Sequence, residues 1–151
     1  MGPKSINKGK GVPGSDKFIY PNGDKYIGEF LAFRNETVFK HGYGKYTTWD
    51  GQIYDGRWIM DKLVSSEEEK MILKHSTEDT FEGTLVNQKY HGNNCKFTFN
   101  DGSYMICTFQ ENRPSGEVVY TDPNGNEWVG YFKDDYIKLK PKNHFLTNYP
   151  K

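Results

Sequence analysis

The chain has 151 residues, enough for one domain, and its charges balance, with 20 Lys and Arg against 20 Asp and Glu. Apolar residues make up only 34% of the sequence while aromatic residues reach 16%, which argues against a thick aliphatic core and against long amphipathic helices. The even charge excludes the basic field that would attract nucleic acid, and no apolar run approaches the roughly 20 residues of a membrane-spanning helix.

Both ends of the chain are predicted to lie outside the folded domain. Residues 1–14 are basic and rich in glycine, and residues 133–151 are rich in lysine, as at Lys138, Lys140 and Lys142. Charged blocks of this kind are typical of solvated tails. The residues between them, 15–132, are predicted to form one domain. Because no signal sequence precedes that domain, we expect a cytoplasmic protein.

Turn signals recur along the predicted domain. An Asn or Asp followed by Gly is the strongest short-range sign of a β-hairpin, because these residues tolerate positive φ. Such pairs occupy the same place in successive units: Asn22-Gly23, Asp50-Gly51, Asp101-Gly102 and Asn124-Gly125. The strands that follow these four turns start at Tyr26, Tyr54, Met105 and Trp128, respectively. A further unit, starting at Phe81, keeps its strand but has Thr77-Glu78 in place of the turn.

The spacing within each unit predicts the register of the hairpins. Residues two apart in a strand share a face. A three-residue loop with glycine in the left-handed position places Tyr46 opposite Tyr54 and Gly44 opposite Gly56. One face of the sheet then carries large rings with glycine gaps between them, and the other face is mostly polar. We expect the exposed rings to bind a partner; these candidate residues are Phe18, Tyr26, Phe30, Tyr46, Tyr54, Trp58, Phe81, Phe97, Tyr120 and Trp128.

The repeated unit resembles the MORN repeat, whose pattern is approximately Y-x-G-x-(W/F)-x-x-G-x-x-H-G-x-G followed by an Asp-Gly turn. Gly56-Arg-Trp58, the run from His41 to Gly44, and the run from Phe81 to Gly92 match this pattern, and the resemblance covers residues 14–132. It implies an all-β fold, an elongated, twisted, single-layer antiparallel sheet of stacked hairpins with about five units. Departures from the pattern near residues 31–40 and 59–68 are predicted to be loops inserted at one edge.

Motifs that suggest chemistry have simpler structural explanations. His41 and His91 stand at the His-Gly position of the repeat, where a hydrogen-bonding role is favoured over metal binding. Cys95 and Cys107 face each other in the predicted register, so either two reduced thiols or a disulfide is possible, and the thiols are favoured in cytosol. No nucleophile, base and orienting acid come together. We therefore expect no enzyme activity, no cofactor and no metal site.

The leading functional hypothesis is a non-catalytic scaffold that binds other proteins through the ring face, in a large multi-subunit assembly. The MORN resemblance implies a cytoskeletal setting such as the axoneme of a cilium, in an assembly like the radial spoke. Two alternatives stay open: an adaptor at membrane surfaces that binds phosphoinositides, and a regulatory adaptor in an autophagy or germline pathway. The balanced charge disfavours the membrane alternative.

Overall fold

Alternation of aromatic or β-branched residues with polar ones produces strands throughout the computed structural model, which describes residues 9–35, 37–133 and 136–142. Within these ranges there are strands and turns but no helices, and hence no helix that could cross a lipid bilayer. The strands are β1 (Val12–Ile19), β2 (Lys25–Ala32), β3 (Val38–Thr47), β4 (Ile53–Ile59), β5 (Lys62–Val64), β6 (Met71–Lys74), β7 (Thr80–Val86), β8 (Lys89–Thr98), β9 (Tyr104–Gln110), β10 (Arg113–Thr121), β11 (Glu127–Lys133) and β12 (Tyr136–Pro141).

All of these strands belong to one open antiparallel sheet of 12 strands. Consecutive strands are neighbours along the whole path, except that β5 pairs with the end of β4 and leaves β6 to pair with its beginning. The fold is therefore the twisted, single-layer sheet of hairpins that the sequence predicts.

The hairpin corners along one edge of the sheet have the predicted three-residue loop. In the β1–β2 corner, the amide of Gly23 donates to the carbonyl of Tyr20 (2.9 Å), and Gly23 has a φ of 96°. The β6–β7 corner, which the sequence analysis treated as having lost its turn, has the same hydrogen bonds, with Glu78 in the left-handed position at a φ of 81°. The absence of a glycine therefore raises the backbone strain at this corner but leaves the geometry of the turn unchanged.

The predicted register is confirmed. Tyr46 lies opposite Tyr54 and Gly44 opposite Gly56, and the pairing continues from strand to strand. A single row of large side chains crosses the sheet: Phe18, Tyr26, Tyr46, Tyr54, Leu73, Phe81, Phe97, Met105, Tyr120, Trp128 and Pro141.

Glycines beside this row allow rings to lie flat on the sheet. A Cβ atom at Gly44 would lie 2.6 Å from Cε1 of Tyr26, and one at Gly83 would lie 2.7 Å from Cζ of Phe81. Tyr26 and Phe81 are consequently fully buried in a sheet that has no second layer. Because these glycines have no side chain, the neighbouring rings can pack directly against the backbone of the sheet.

This packing corrects the expectation of a fully exposed ring ladder. Tyr26, Trp58 and Phe81 are buried, with at most 6% of their surface exposed, and they form core. The other predicted partner-binding residues are half-buried: Phe18, Phe30, Tyr46, Tyr54, Phe97, Tyr120 and Trp128. The buried rings lean over glycines and pack on one another, so they do not form a continuous exposed ladder.

The opposite face also differs from the expectation of a polar surface. Charged and apolar side chains are mixed across that face, as in the row in which Lys96 is followed by Ile106, Val119 and Val129. Ile27 is 54% exposed there, and Tyr131 is 63% exposed.

The sheet extends into the regions that the sequence analysis assigned to tails and insertions. In the insertion at 31–40, Leu31 pairs with Phe39, so the loop shrinks to residues 33–37. In the insertion at 59–68, residues 62–64 form β5. Strand β12 begins at Tyr136, inside the predicted tail 133–151, because apolar Ile137 and Leu139 alternate with the lysines and pair with β11. Residues 1–8 and 143–151 lie outside the described residues.

The His-Gly pairs lie at β-bulges inside strands β3 and β8. Gly42 and Gly92 have φ values of 102° and 120°, and register shifts occur beside both. At the first bulge, Nδ1 of His41 accepts a hydrogen bond from the amide of Met60 (3.2 Å). His41 thus has the structural hydrogen-bonding role that its position predicts.

Candidate partner-binding groove

A groove of about 1030 Å³ lies on the ring face, where the regular row of rings is interrupted. The interruption is the junction of β4 and β6, at which only three residue pairs join the strands. Leu73 takes the place of a ring in the row at this point. Because leucine is smaller than tyrosine or phenylalanine and β5 diverges from the path, a depression remains between two ring clusters.

The first ring cluster forms one end of the groove. Tyr26 packs edge-on against Trp58, with ring centroids 5.8 Å apart, and Tyr46 lies 6.2 Å from Trp58. Nε1 of Trp58 donates to the carbonyl of Gly44 (3.0 Å), and the hydroxyl of Tyr46 donates to Asp24. These bonds hold Tyr46 and Trp58 in fixed positions in the groove lining.

The second ring cluster forms the other end. Tyr90 stacks on Phe81, with centroids 3.9 Å apart and planes 7° from parallel, and meets Phe109 edge-on at 5.7 Å. The Tyr90 hydroxyl also hydrogen-bonds Nε2 of His75. Both His75 and Tyr90 line the groove, so this end presents a fixed polar pair beside an aromatic stack.

Between the two ends the groove has an apolar floor and a polar rim. Tyr54, Leu63, Leu73 and Leu85 supply the apolar lining. Side-chain amides stand around it, from Gln52, Asn87, Gln88 and Asn112. A concave surface with an apolar floor and a few directed polar groups is typical of a ligand-binding site.

The rim depends on tight turns that the sequence analysis missed. β4 joins β5 through Met60-Asp61, β7 joins β8 through Asn87-Gln88, and β9 joins β10 through Glu111-Asn112. Both residues of each pair have positive φ, as type I′ turns require. No glycine marks these corners; the common signal is a basic residue directly after each pair, Lys62, Lys89 or Arg113.

These turns also join one repeat to the next. The amide of Lys40 donates to Oδ1 of Asp61 (2.8 Å), and the amide of Asp61 donates back to the carbonyl of Lys40 (2.9 Å). Tyr90 and Asn112 exchange the same two bonds, at 2.8 and 2.9 Å. In these two turns the last residue therefore anchors the strand of the preceding repeat, and Lys40 and Tyr90 occupy equivalent positions.

Burial raises the pKa of two tyrosines that line the groove. The pKa of Tyr46 rises to about 12, through burial first and then its hydrogen bond to Asp24. The pKa of Tyr90 also rises to about 12, again mainly through burial. Both hydroxyls therefore stay protonated near pH 7, where that of Tyr46 donates to Asp24 and that of Tyr90 is hydrogen-bonded to His75.

Of the predicted partner-binding residues, the structure brings Tyr46, Tyr54 and Trp58 together in the groove. Phe18 and Phe30 pack on each other near β1, 5.5 Å apart, and Tyr120 pairs with Trp128 on β10 and β11, also outside the groove. The groove additionally uses Leu73 and Leu85, which hold ring positions of the repeat, together with Leu63 and the amides of the rim, which no repeat position marks. Whether any of the ten residues binds a partner stays a prediction.

Other reactive groups lie away from the groove. Cys95 and Cys107 are opposed in the β8–β9 pair, and both are buried free thiols. Burial raises the pKa of Cys107 to about 12 and also raises that of Cys95. Across the described part of the chain, no group of three or more His, Cys, Asp or Glu side chains is arranged to hold a metal ion.

Comparison with known proteins gives a short similarity. No protein-family model matches the chain. A stretch of 44 residues is 43% identical to phosphatidylinositol 4-phosphate 5-kinase 1 of Oryza sativa subsp. japonica. The stretch is 29% of this chain and 5% of the kinase. The chain is therefore similar to a small part of that enzyme, and its hairpin sheet is the fold that the MORN resemblance implies.

Proposed function

We propose that the protein is a non-catalytic scaffold whose groove binds a segment of a partner protein. The observation that carries this proposal is the 1030 Å³ groove with an apolar floor and an amide rim. The apolar floor supplies area that a partner side chain can bury, at about 25 cal/mol per Å². The rim amides both donate and accept hydrogen bonds, as an extended peptide backbone requires.

The proposal extends to where the scaffold works. We propose a cytoplasmic, cytoskeletal assembly such as a ciliary axoneme, and the support for this step is the resemblance of the sequence to MORN repeats. An adaptor for an enzyme in an autophagy or germline pathway uses the same groove chemistry. Identification of the proteins that co-purify with the chain from its native source distinguishes these two settings.

Two matched substitutions test the groove itself. Leu63→Glu places a carboxylate on the groove floor, while Ile72→Glu makes the same kind of change on the opposite face, where Ile72 is 39% exposed. We expect Leu63→Glu to abolish co-purification of the partner and Ile72→Glu to preserve it, with the same β-sheet circular dichroism in both variants. The reverse result would assign binding to the opposite face.

Photo-crosslinking locates the partner without weakening the complex. A benzoyl-phenylalanine replaces Tyr54 in the groove or, as a control, the exposed Tyr131 on the opposite face. We expect a crosslinked partner from position 54 and none from position 131. Crosslinking from position 131 alone contradicts the proposed function.

A second candidate function is binding to phosphoinositide-containing membranes, and the similarity to the rice kinase favours it because that protein's name gives phosphatidylinositol 4-phosphate as a substrate. Lys138 and Lys140 are exposed on β12 and are the cationic residues to test. Sedimentation with vesicles containing phosphatidylinositol 4-phosphate, at physiological salt, should be lost in the Lys138→Ala/Lys140→Ala variant if this function holds. Equal sedimentation with neutral vesicles contradicts it.

A further inference from the structure

We propose that the rings around Lys40 form a cage for a quaternary ammonium group, such as a trimethylated lysine of the partner, and that Lys40 is a resident occupant that this group displaces. This inference rests on the proposed binding role of the groove, because the cage opens into it. It goes further by naming the chemical group that the first ring cluster recognises.

The geometry around Lys40 is that of a cation-binding cage. Its Nζ atom lies 5.1 Å from the ring centroid of Tyr46 and 5.4 Å from that of Trp58. The rings of Tyr20 and Tyr26 are each 5.9 Å away. All four distances fall within the roughly 6 Å over which a ring face attracts a cation.

A carboxylate completes the cage. Oδ1 of Asp61 lies 3.3 Å from Nζ of Lys40 and also accepts the backbone amide of the same residue. Its position is fixed by the type I′ turn in which it lies. The site therefore combines aromatic faces with one negative charge, a combination that suits a weakly hydrated cation.

The equivalent position in the next part of the sheet shows that the fold does not require a cation here. Tyr90 makes the same backbone exchange with Asn112 that Lys40 makes with Asp61, and it presents a ring to Phe81. An aromatic ring and a neutral amide thus satisfy the backbone geometry. The paired charges of Lys40 and Asp61 are an addition to that structural role.

The ammonium group of Lys40 can move out of the cage. Its side chain is 17% exposed and lines the groove, so the ammonium has a path to water. A lysine ammonium is compact and strongly hydrated, and it recovers this hydration when the flexible side chain swings out. A quaternary ammonium gives up less hydration on entering the cage, and recognition of such groups is an established use of aromatic cages. The exchange also preserves the charge next to Asp61.

Tetramethylammonium chloride is the probe for this inference, with sodium chloride at the same ionic strength as the reference. In the unsubstituted protein, NMR follows the methylene beside Nζ of Lys40, and we expect the four surrounding rings to displace its resonance from the usual chemical shift. We expect that shift to disappear as tetramethylammonium is added. The indole N–H of Trp58 should move at the same concentrations.

Substitutions remove the resident cation. We expect Lys40→Ala to bind tetramethylammonium about tenfold more tightly than the unsubstituted protein, because a tethered group competes at millimolar effective concentration. Lys45→Ala is the matched control, an exposed lysine of the same strand on the opposite face of the sheet, and should leave binding unchanged. Adding Asp61→Asn to Lys40→Ala should weaken binding several-fold while the turn is retained, since Asn112 serves the same role natively.

The results separate this inference from the proposed function. If tetramethylammonium leaves the Lys40 and Trp58 resonances of the folded protein unchanged, the cage is overturned, even if Lys40→Ala fails to fold. Equal affinity in folded Lys40→Ala and the unsubstituted protein would make Lys40 a structural residue. If a partner is crosslinked from position 54 while one of these two results overturns the cage, the proposed binding function of the groove still stands. If tetramethylammonium binds as expected but no partner is crosslinked, only the cage is supported and the proposed function is contradicted.

Discussion

Replacing Gly44 by alanine tests the physical reason for the repeated glycines. Gly44 has no positive φ, so its backbone accepts alanine, and any loss of stability comes from contact with neighbouring atoms. The new Cβ atom would lie 2.6 Å from Cε1 of Tyr26 and closer still to Cζ and the hydroxyl oxygen. Tyr26 is fully buried, and its hydroxyl donates to the carbonyl of Glu29 (2.6 Å), so the ring has little freedom to move.

The expected loss follows from these contacts. Overpacking of a buried site costs about 1–3 kcal/mol, and a lost hydrogen bond costs about 1 kcal/mol more. Alanine restores about 0.5 kcal/mol by restricting the unfolded chain. Gly44→Ala should therefore lower the free energy of unfolding by about 1.5–3.5 kcal/mol, a substantial part of the roughly 5–15 kcal/mol of a typical domain.

Gly56 supplies the control, because it lies directly opposite Gly44 in the same strand pair. A Cβ atom there would lie 3.0 Å from Cβ of Met71 and 3.3 Å from Cδ1 of Leu63, contacts that small shifts relieve. Gly56→Ala should change stability by less than about 1 kcal/mol. Urea denaturation followed by circular dichroism measures both variants.

A double-mutant cycle identifies the ring as the cause. In a Tyr26→Leu background the ring is absent, and Gly44→Ala should cost about 1 kcal/mol or less. Equal losses in Gly44→Ala and Gly56→Ala would refute the explanation of the glycines as places for rings. An unchanged loss in the Tyr26→Leu background would refute it as well.

Three further predictions follow from the strained corner, the tyrosines and the thiols. Glu78→Gly should raise the free energy of unfolding by about 1 kcal/mol, because a non-glycine residue in the left-handed region is strained; an unchanged urea midpoint contradicts this. Burial raises the pKa of Tyr26 and that of Tyr46 from the ordinary 10.0 to about 12. Since the unfolded chain loses these protons first, stability is fully present below pH 10 and should fall as the pH rises from 10 towards 12; a flat urea midpoint over that range argues against it. Because Cys95 and Cys107 are buried with raised pKa values, alkylation at pH 8 should label both only after unfolding, and rapid labelling of the native protein would show that the β8–β9 pair opens.

The hairpin register could be predicted because its determinants are local. An Asx-Gly pair fixes the loop length, and the loop length fixes which residues face each other, so the opposition of Tyr46 and Tyr54 follows from a few neighbouring residues. The two-residue turns at the other edge were missed because Met60-Asp61 and Glu111-Asn112 contain no glycine. Positive φ at these residues is sustained by the strand pairing on either side, which local propensity does not describe.

The sequence by itself determined the all-β class, the single antiparallel sheet, the face on which the rings lie and the opposition of Cys95 and Cys107. These properties follow from a period of two residues and from turn chemistry, both of which act over short distances. Only the tertiary structure decided that Tyr26 and Phe81 are buried, that a groove opens beside Leu73, and that Lys40 lies among four rings. Those outcomes depend on how side chains from separate hairpins lean and pack across the twisted sheet, and such contacts join residues that are distant in the chain.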